Sequence, residues 1–146
     1  LALGILGRVH ISLVTLGVAM FATATGAAIL YLFGERSIKR KRLGVLFRKG
    51  APLETLDNVV HRCVLIGFPV YTVAMVTGVV WTLRISPVVR PQYVLGLAVW
   101  VAFGVLLLAR LLAGWRGRRA AVITILGFAA ALAVLVIYWA RAARGA

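Results

Sequence analysis

The sequence predicts an all-α integral membrane protein with four transmembrane helices. Four apolar stretches, approximately 9–33, 59–83, 93–112 and 120–140, each reach the roughly 20 residues that a helix needs to cross about 30 Å of hydrocarbon. Hydrophobic residues make up 63% of the chain, and the mean hydropathy is +1.03. A water-soluble domain of 146 residues would need four core helices that are apolar on every face. We therefore expect one transmembrane helical domain over residues 1–146.

The charge of the chain is strongly unbalanced. There are 17 Lys and Arg residues against three acidic ones, Glu35, Glu54 and Asp57, which gives a formal net charge of +14. In a soluble protein such a charge would indicate binding to nucleic acid. Here the cations lie at the ends of apolar spans, where they determine topology and meet anionic headgroups. We therefore expect the lipid bilayer as a partner, and no nucleic acid.

The distribution of cations predicts the orientation. The most basic connections are the first, residues 34–51, and the third, which contains Arg116, Arg118 and Arg119 and has Arg110 just before it. The positive-inside rule places both connections in the cytoplasm and both termini outside, in the periplasm of a bacterial inner membrane. Residues 37–48 alternate between basic and apolar types. This pattern is typical of a short helix on the inner headgroup surface, although a solvated loop would have the same composition.

Two further patterns concern packing. Small residues form stripes on the first and fourth spans, which indicates close contact between helices; the stripes are Ser12, Thr15, Ala19, Ala22 and Gly26, then Ala120, Thr124, Gly127 and Ala131. Cys63 is the single cysteine and has no metal-ligand spacing around it. We expect it to be a small buried residue, and we predict no metal site.

The two histidines limit the possible cofactor chemistry, because a neutral imidazole is a common axial ligand of haem iron. His10 is expected at the outer end of the first span and His61 at the inner end of the second, about 35 Å apart along the helices. This excludes a four-helix cytochrome with two haems in the isolated chain. His61, one turn after Asp57, is expected to be structural. His10 lies inside the membrane, where ionisable residues usually have a function.

Several segments, in this order, resemble the cytochrome c assembly (CcsA/HemX-like) membrane proteins. They are His10-Ile11-Ser12-Leu13, residues 53–58 followed by Gly67-Phe68-Pro69, Gly78-Val79-Val80-Trp81, and residues 114–120 followed by Gly127-Phe128. The resemblance covers nearly the whole chain but only part of a typical family member. It implies that His10 is an outer haem ligand, paired in the haem-handling members with a histidine beyond a tryptophan-rich outer loop.

The sequence departs from the family at three places. The outer connection, residues 84–92, contains no tryptophan, so the WGxxWxWD segment that holds haem in the family is absent. Leu108 stands where family members can carry a membrane-embedded histidine. Residues 138–141 offer no second outer histidine. The resemblance therefore implies a reduced form of the family, with His10 as the one cofactor-binding candidate and a second haem ligand from another chain.

Two function classes remain open. The first is a non-catalytic membrane protein of haem handling or cytochrome c assembly, similar to HemX. The second is an accessory structural subunit that packs around a larger respiratory or photosynthetic membrane complex. Both imply other membrane protein chains as partners. The sequence has no nucleophile with a base and no paired carboxylates in a span, so we predict no catalytic residues. The sequence begins at Leu1 and not at Met, and whether an N-terminal part precedes it stays open.

The predicted topology can be tested by cysteine labelling in a Cys63→Ser background. Lys41→Cys and Arg90→Cys should react from opposite sides of the membrane, because the positive-inside rule holds the first connection in the cytoplasm. A membrane-impermeant maleimide added to intact cells, and then to lysed cells, separates the two sides. Labelling of both positions from the same side would contradict the topology.

Overall fold

A computed structural model describes residues 2–40, 52–85 and 91–145, which form four α-helices. They are α1 (Ala2–Lys39), α2 (Leu53–Ile85), α3 (Pro91–Leu112) and α4 (Arg118–Gly145). The all-α prediction is confirmed. Within the described residues, α1, α2 and α3 are long and apolar enough to cross a membrane. The crossing by α4, the orientation and the single domain remain predictions, and most of the helix considered for residues 37–48 lies outside the described residues.

The first helix begins earlier than the sequence predicted. Its 38 residues span about 57 Å, and it starts at Ala2 rather than near Val9. Arg8, the residue before the predicted span, is exposed on the helix surface, where a long cationic side chain can reach the membrane interface. As a result, His10 lies about two turns inside α1 and not at its outer end.

The four helices run alternately up and down. Helix α1 has its most extensive contact with α2; α2 also packs on α3, α3 on α4, and α4 on α1. One end of the bundle carries Lys39, Pro52, Leu112 and Arg118, and we call it the basic end. The opposite end carries the beginning of α1 and the end of α2, and we call it the His10 end.

The core lies where α1, α2 and α3 meet at the middle of the bundle. The rings of Phe21 and Phe103 are stacked, with centroids 3.8 Å apart and planes 6° apart, and Tyr71 contacts Phe21 at 5.6 Å. Glycines allow α1 and α2 to approach closely around this core. A Cβ on Gly17 would lie 3.0 Å from Cβ of Tyr71, and a Cβ on Gly67 would lie 2.9 Å from Cβ of Met20.

The two small-residue stripes have different outcomes. In α4 the stripe does pack inside the bundle, since Ala120 and Thr124 are buried and Gly127 and Ala131 are half-buried. In α1 the stripe does not pack inside this chain, because all five of its residues are exposed, and its packing against another chain stays a prediction. The buried face of α1 is instead the one that carries Phe21, together with Gly17, Ala24 and Ala28.

A buried ion pair holds the basic end together. Arg110 Nη2 of α3 donates to Asp57 Oδ1 of α2 at 2.5 Å, and the same oxygen accepts from the backbone N–H of Gly117 at 3.1 Å. Arg110 is only 7% exposed. The sequence indicated Arg110 as one of the cations at a span end, whereas the structure turns it inward. Asp57 thereby ties α2, α3 and the connection before α4 to one point.

The connection between α3 and α4 depends on two glycines. Gly114 and Gly117 have φ values of +63° and +64°, a region that side chains with a Cβ rarely adopt. A Cβ on Gly117 would also lie 2.8 Å from the hydroxyl of Tyr31. Glycine is therefore required at position 117 both for the turn and for the approach of its amide to Asp57.

Asp57→Asn should destabilise the bundle by about 3–5 kcal/mol, because it leaves the buried Arg110 charge without a counter-ion. The double variant Asp57→Asn with Arg110→Met should recover much of this loss. Glu35→Gln is the matched control, since the Glu35–Lys39 pair is on the surface and contributes about 0.3–0.5 kcal/mol. Thermal unfolding in detergent measures all three, and an equal effect of Asp57→Asn and Glu35→Gln would contradict the assignment.

Candidate functional site

A cavity of about 480 Å³ opens between α1, α2 and α3 at the His10 end. We call it the His10 cavity. Its lining is mainly apolar and aromatic, with a few hydroxyl groups and one imidazole. The lining residues are His10 and Val14 of α1, Tyr71, Met75, Gly78, Val79, Trp81, Thr82 and Leu83 of α2, and Tyr93 and Gly96 of α3.

A hydrogen bond to the backbone of α2 fixes the ring of His10. Nδ1 lies 2.8 Å from the carbonyl oxygen of Ala74. A carbonyl oxygen only accepts, so Nδ1 carries the hydrogen and Nε2 of the neutral ring keeps its lone pair. The hydroxyl of Thr77 donates to the same carbonyl at 2.8 Å and lies 3.4 Å from Nδ1. A backbone carbonyl that orients the ring through Nδ1 is the usual arrangement for an imidazole that binds a metal through Nε2.

Gly78 makes space for the ring of His10, and Gly7 lies beside the indole of Trp81. A Cβ on Gly78 would lie 2.6 Å from Cε1 of His10, so no other residue fits there without moving the ring. The indole of Trp81 packs over Gly7, with Cζ2 3.5 Å from where a Cβ would stand. The rings of His10 and Trp81 are 6.3 Å apart between centroids and inclined at 38°. The segment from Gly78 to Trp81, noticed as a sequence motif, is therefore the wall against which His10 lies.

The opposite wall combines α2 and α3. Thr82 donates to the hydroxyl of Tyr93 at 2.7 Å, and the hydroxyl of Tyr71 donates to the carbonyl of Gly96 at 3.4 Å. Met75 also lines this wall, and its sulfur lies 3.3 Å from where a Cβ of Gly96 would stand. Both tyrosine hydroxyls are thus engaged in hydrogen bonds.

Sequence reasoning missed Tyr71, Met75 and Thr82, although the signal was present. Tyr71, Met75, Gly78 and Thr82 follow one another at helical spacings of four, three and four, which places them on one face of α2. That pattern reads equally well as ordinary core packing. Only the antiparallel pairing of α1 with α2 brings this face into register with His10.

The other sequence candidates lie apart from the cavity. His61 is half-buried in the first turns of α2. His10 bonds to Ala74, which is 13 positions after His61, so His10 and His61 lie about 20 Å apart along the bundle and not the expected 35 Å. The carboxylate of Asp57 bonds to Arg110 and Gly117, and no hydrogen bond joins it to His61 among the described residues. Cys63 is half-buried. Leu108 is 56% exposed on the outside of α3, away from the cavity.

The described residues contain no group of three His, Cys, Asp or Glu side chains that could hold a metal ion by themselves. The functional geometry therefore consists of one oriented imidazole at the side of an apolar cavity. Together, the fold and this site define a multi-pass helical membrane protein with an imidazole set near one end of its bundle.

Comparison with known proteins identifies the family. Residues 6–141 match the family described as Cytochrome C assembly protein, and the chain therefore belongs to that family. No solved structure matches the chain.

Curated relatives are similar over part of their length. The chain is 35% identical over 88 residues to the cytochrome c biogenesis protein CcsA of Gloeobacter violaceus, which is 58% of this chain and 26% of that protein. It is 36% identical over 78 residues to CcsA of Synechococcus elongatus, 51% of this chain and 24% of that protein. It is 33% identical over 85 residues to CcsA of Marchantia polymorpha, which is 56% of this chain and 27% of that protein. The matched segments span about a quarter of each relative.

Gly78→Ala should displace the His10 ring, because the new methyl group would lie 2.6 Å from Cε1. We expect the bond to Ala74 to be lost and the bundle to be destabilised by about 1–3 kcal/mol. Gly26→Ala is the matched control, since nothing lies within 4 Å of its Cβ position and alanine favours a helix. Thermal unfolding in the same detergent compares the two, and equal stability would show that His10 does not occupy the position described.

Proposed function

We propose that this chain is a non-catalytic component of cytochrome c assembly that holds haem through His10, as HemX-like proteins are expected to do. The observation that carries the proposal is the bond from His10 Nδ1 to the Ala74 carbonyl, because it leaves the lone pair of Nε2 free, so that this nitrogen would be able to bind the haem iron. Membership of the cytochrome c assembly family and the CcsA relatives support haem as the group to be held.

The residues of the His10 cavity fit a haem group. Its volume of about 480 Å³ lies within the usual range of about 300–1,000 Å³ for ligand sites, and most of its lining is apolar. The faces of Trp81 and Tyr93 offer flat aromatic surface, which suits contact with a porphyrin. Haem would supply the iron centre that cytochrome c needs. The role of this chain would be to bind and orient that group, with His10 as a ligand and Ala74 and Thr77 holding the ring.

A second residue that would hold the haem iron could come from this chain or from another. From the sequence we expected a histidine of another chain. The cavity also contains Met75, and a thioether is the partner of histidine on the iron of c-type cytochromes. Met75 is therefore a candidate ligand within this chain. If a histidine of a partner is used instead, Met75 would remain an apolar wall residue.

We further infer that the His10 end faces the outside of a bacterial inner membrane, as the distribution of cations favours. The sequence contains no nucleophile with a base and no paired carboxylates in a span. We therefore propose that the chain binds and orients haem and does not catalyse a reaction. The alternative is that this chain is an accessory structural subunit of a larger membrane complex and does not handle haem.

Haem titration of the purified chain tests the proposal. The wild type should bind haem with the absorption spectrum of a low-spin six-coordinate iron, and His10→Ala should weaken binding at least tenfold, because it removes the ligand. His61→Gln is the matched control and should leave binding unchanged, since it lies about 20 Å from the level of the cavity.

Met75→Leu separates the two sources of the second ligand. If Met75 binds the iron, this variant should convert the spectrum to high-spin and remove the near-infrared band that thioether ligation gives to ferric haem. An unchanged spectrum would assign the second ligand to another chain. A wild-type chain that binds no haem but co-purifies stoichiometrically with a membrane complex would contradict the haem proposal and favour the accessory subunit.

A further inference from the structure

We propose that a groove between α1 and α4 at the basic end binds the headgroup and one acyl chain of an anionic phospholipid. This site is separate from the His10 cavity and does not depend on the proposed haem function. We call it the α1/α4 groove, and its lining residues are Leu32, Glu35, Arg36, Lys39, Trp115, Arg118, Arg119, Val122 and Ile123.

The groove consists of two depressions that share Arg118 and Val122. The smaller, of about 80 Å³, lies between the end of α1 and the beginning of α4. The larger, of about 490 Å³, is an open depression along the first turns of α4, beside Trp115 and Ile123. Because two residues belong to both, one elongated molecule can occupy the two depressions together.

The groove carries an excess of positive charge. Its lining includes four cations, Arg36, Lys39, Arg118 and Arg119, and one carboxylate, that of Glu35, which accepts a hydrogen bond from Lys39 at 2.7 Å. The chain has only two other acidic residues. Of these, Asp57 is held by Arg110, and Glu54 lies at the beginning of α2. Among the described residues, neither Arg118 nor Arg119 forms an ion pair with a carboxylate.

The beginning of α4 gives a second reason to expect a bound anion. Helix α4 has no acidic residue in its first turn and starts with Arg118 and Arg119, although the first turn of a helix carries partial positive charge. Cations at this position are unfavourable unless an anion lies nearby. A lipid phosphate beside the two arginines would accept hydrogen bonds from their guanidinium groups and offset the dipole.

The apolar part of the groove points to a lipid rather than a soluble anion. Val122 and Ile123 lie one turn after the arginines, on the side toward the middle of the bundle, and they provide surface for an acyl chain. Trp115 lines the same depression as the two arginines, and tryptophan is enriched where proteins meet the membrane interface. Charge at one end and hydrocarbon surface below it match the shape and chemistry of a phospholipid.

Native mass spectrometry of the chain, purified in an equal mixture of phosphatidylglycerol and phosphatidylcholine, tests the site. The wild type should retain phosphatidylglycerol preferentially, and Arg118→Gln with Arg119→Gln should reduce this retention about tenfold, because each cation near a lipid surface contributes appreciably to binding. Arg84→Gln with Arg144→Gln is the matched control, since it removes the same charge from exposed residues at the opposite end. Equal loss in both double variants would contradict a local site.

Two further measurements complete the test. Glycerol 3-phosphate, a soluble headgroup, should not displace the retained lipid; displacement would show a site for free phosphate and overturn the lipid assignment. In the wild type, brominated phosphatidylglycerol should quench Trp115 more than brominated phosphatidylcholine does, with Trp115→Phe giving the contribution of this residue. Equal quenching by the two lipids would overturn the proposal even if the arginine variants fail to fold.

Discussion

The close approach of α1 and α2 is the constraint on which the rest of the structure depends. Inside a bilayer there is no hydrophobic force that brings apolar helices together, so van der Waals contact and hydrogen bonds must do so. Gly17 and Gly67 allow contact at the core, and Gly78 admits the His10 ring at one end. The bond from His10 to Ala74 then fixes the register of the two helices. The geometry that holds the bundle together is therefore the same geometry that orients the imidazole.

Each end of the bundle has its own polar connection, in surroundings where an unpaired polar group is costly. At the basic end, Asp57 receives hydrogen bonds from Arg110 and Gly117, and it joins α2 to α3 and to the beginning of α4. At the His10 end, Thr82 and Tyr93 join α2 to α3. Neither connection depends on the other, so a variant at Asp57 is expected to change stability without changing the orientation of His10.

The sequence predicted what depends on composition and on local motifs. The all-α membrane fold follows from apolar length, and the family resemblance rested on segments such as 78–81 that the structure places at the cavity wall. The sequence-based predictions failed where the direction of a side chain, toward the core or toward the surface, depends on contacts between distant helices. The stripe of Ser12 and Ala19 was read as packing because small residues usually pack, yet the bulky Phe21 occupies the buried face. Arg110 was read as a topological signal, because its partner Asp57 is distant in sequence.

The choice of residue at position 10 supports a role beyond packing. A hydrogen bond from α1 to the Ala74 carbonyl requires only a hydrogen-bond donor at position 10. A serine or threonine hydroxyl could supply one, as the hydroxyl of Thr77 already does from within α2. Imidazole is larger, and its accommodation demands glycine at position 78. What imidazole adds is a second nitrogen, beside a cavity that also holds a thioether. A ligand for that nitrogen would account for the pairing of His10 with Gly78, whereas a purely structural tie would not require it.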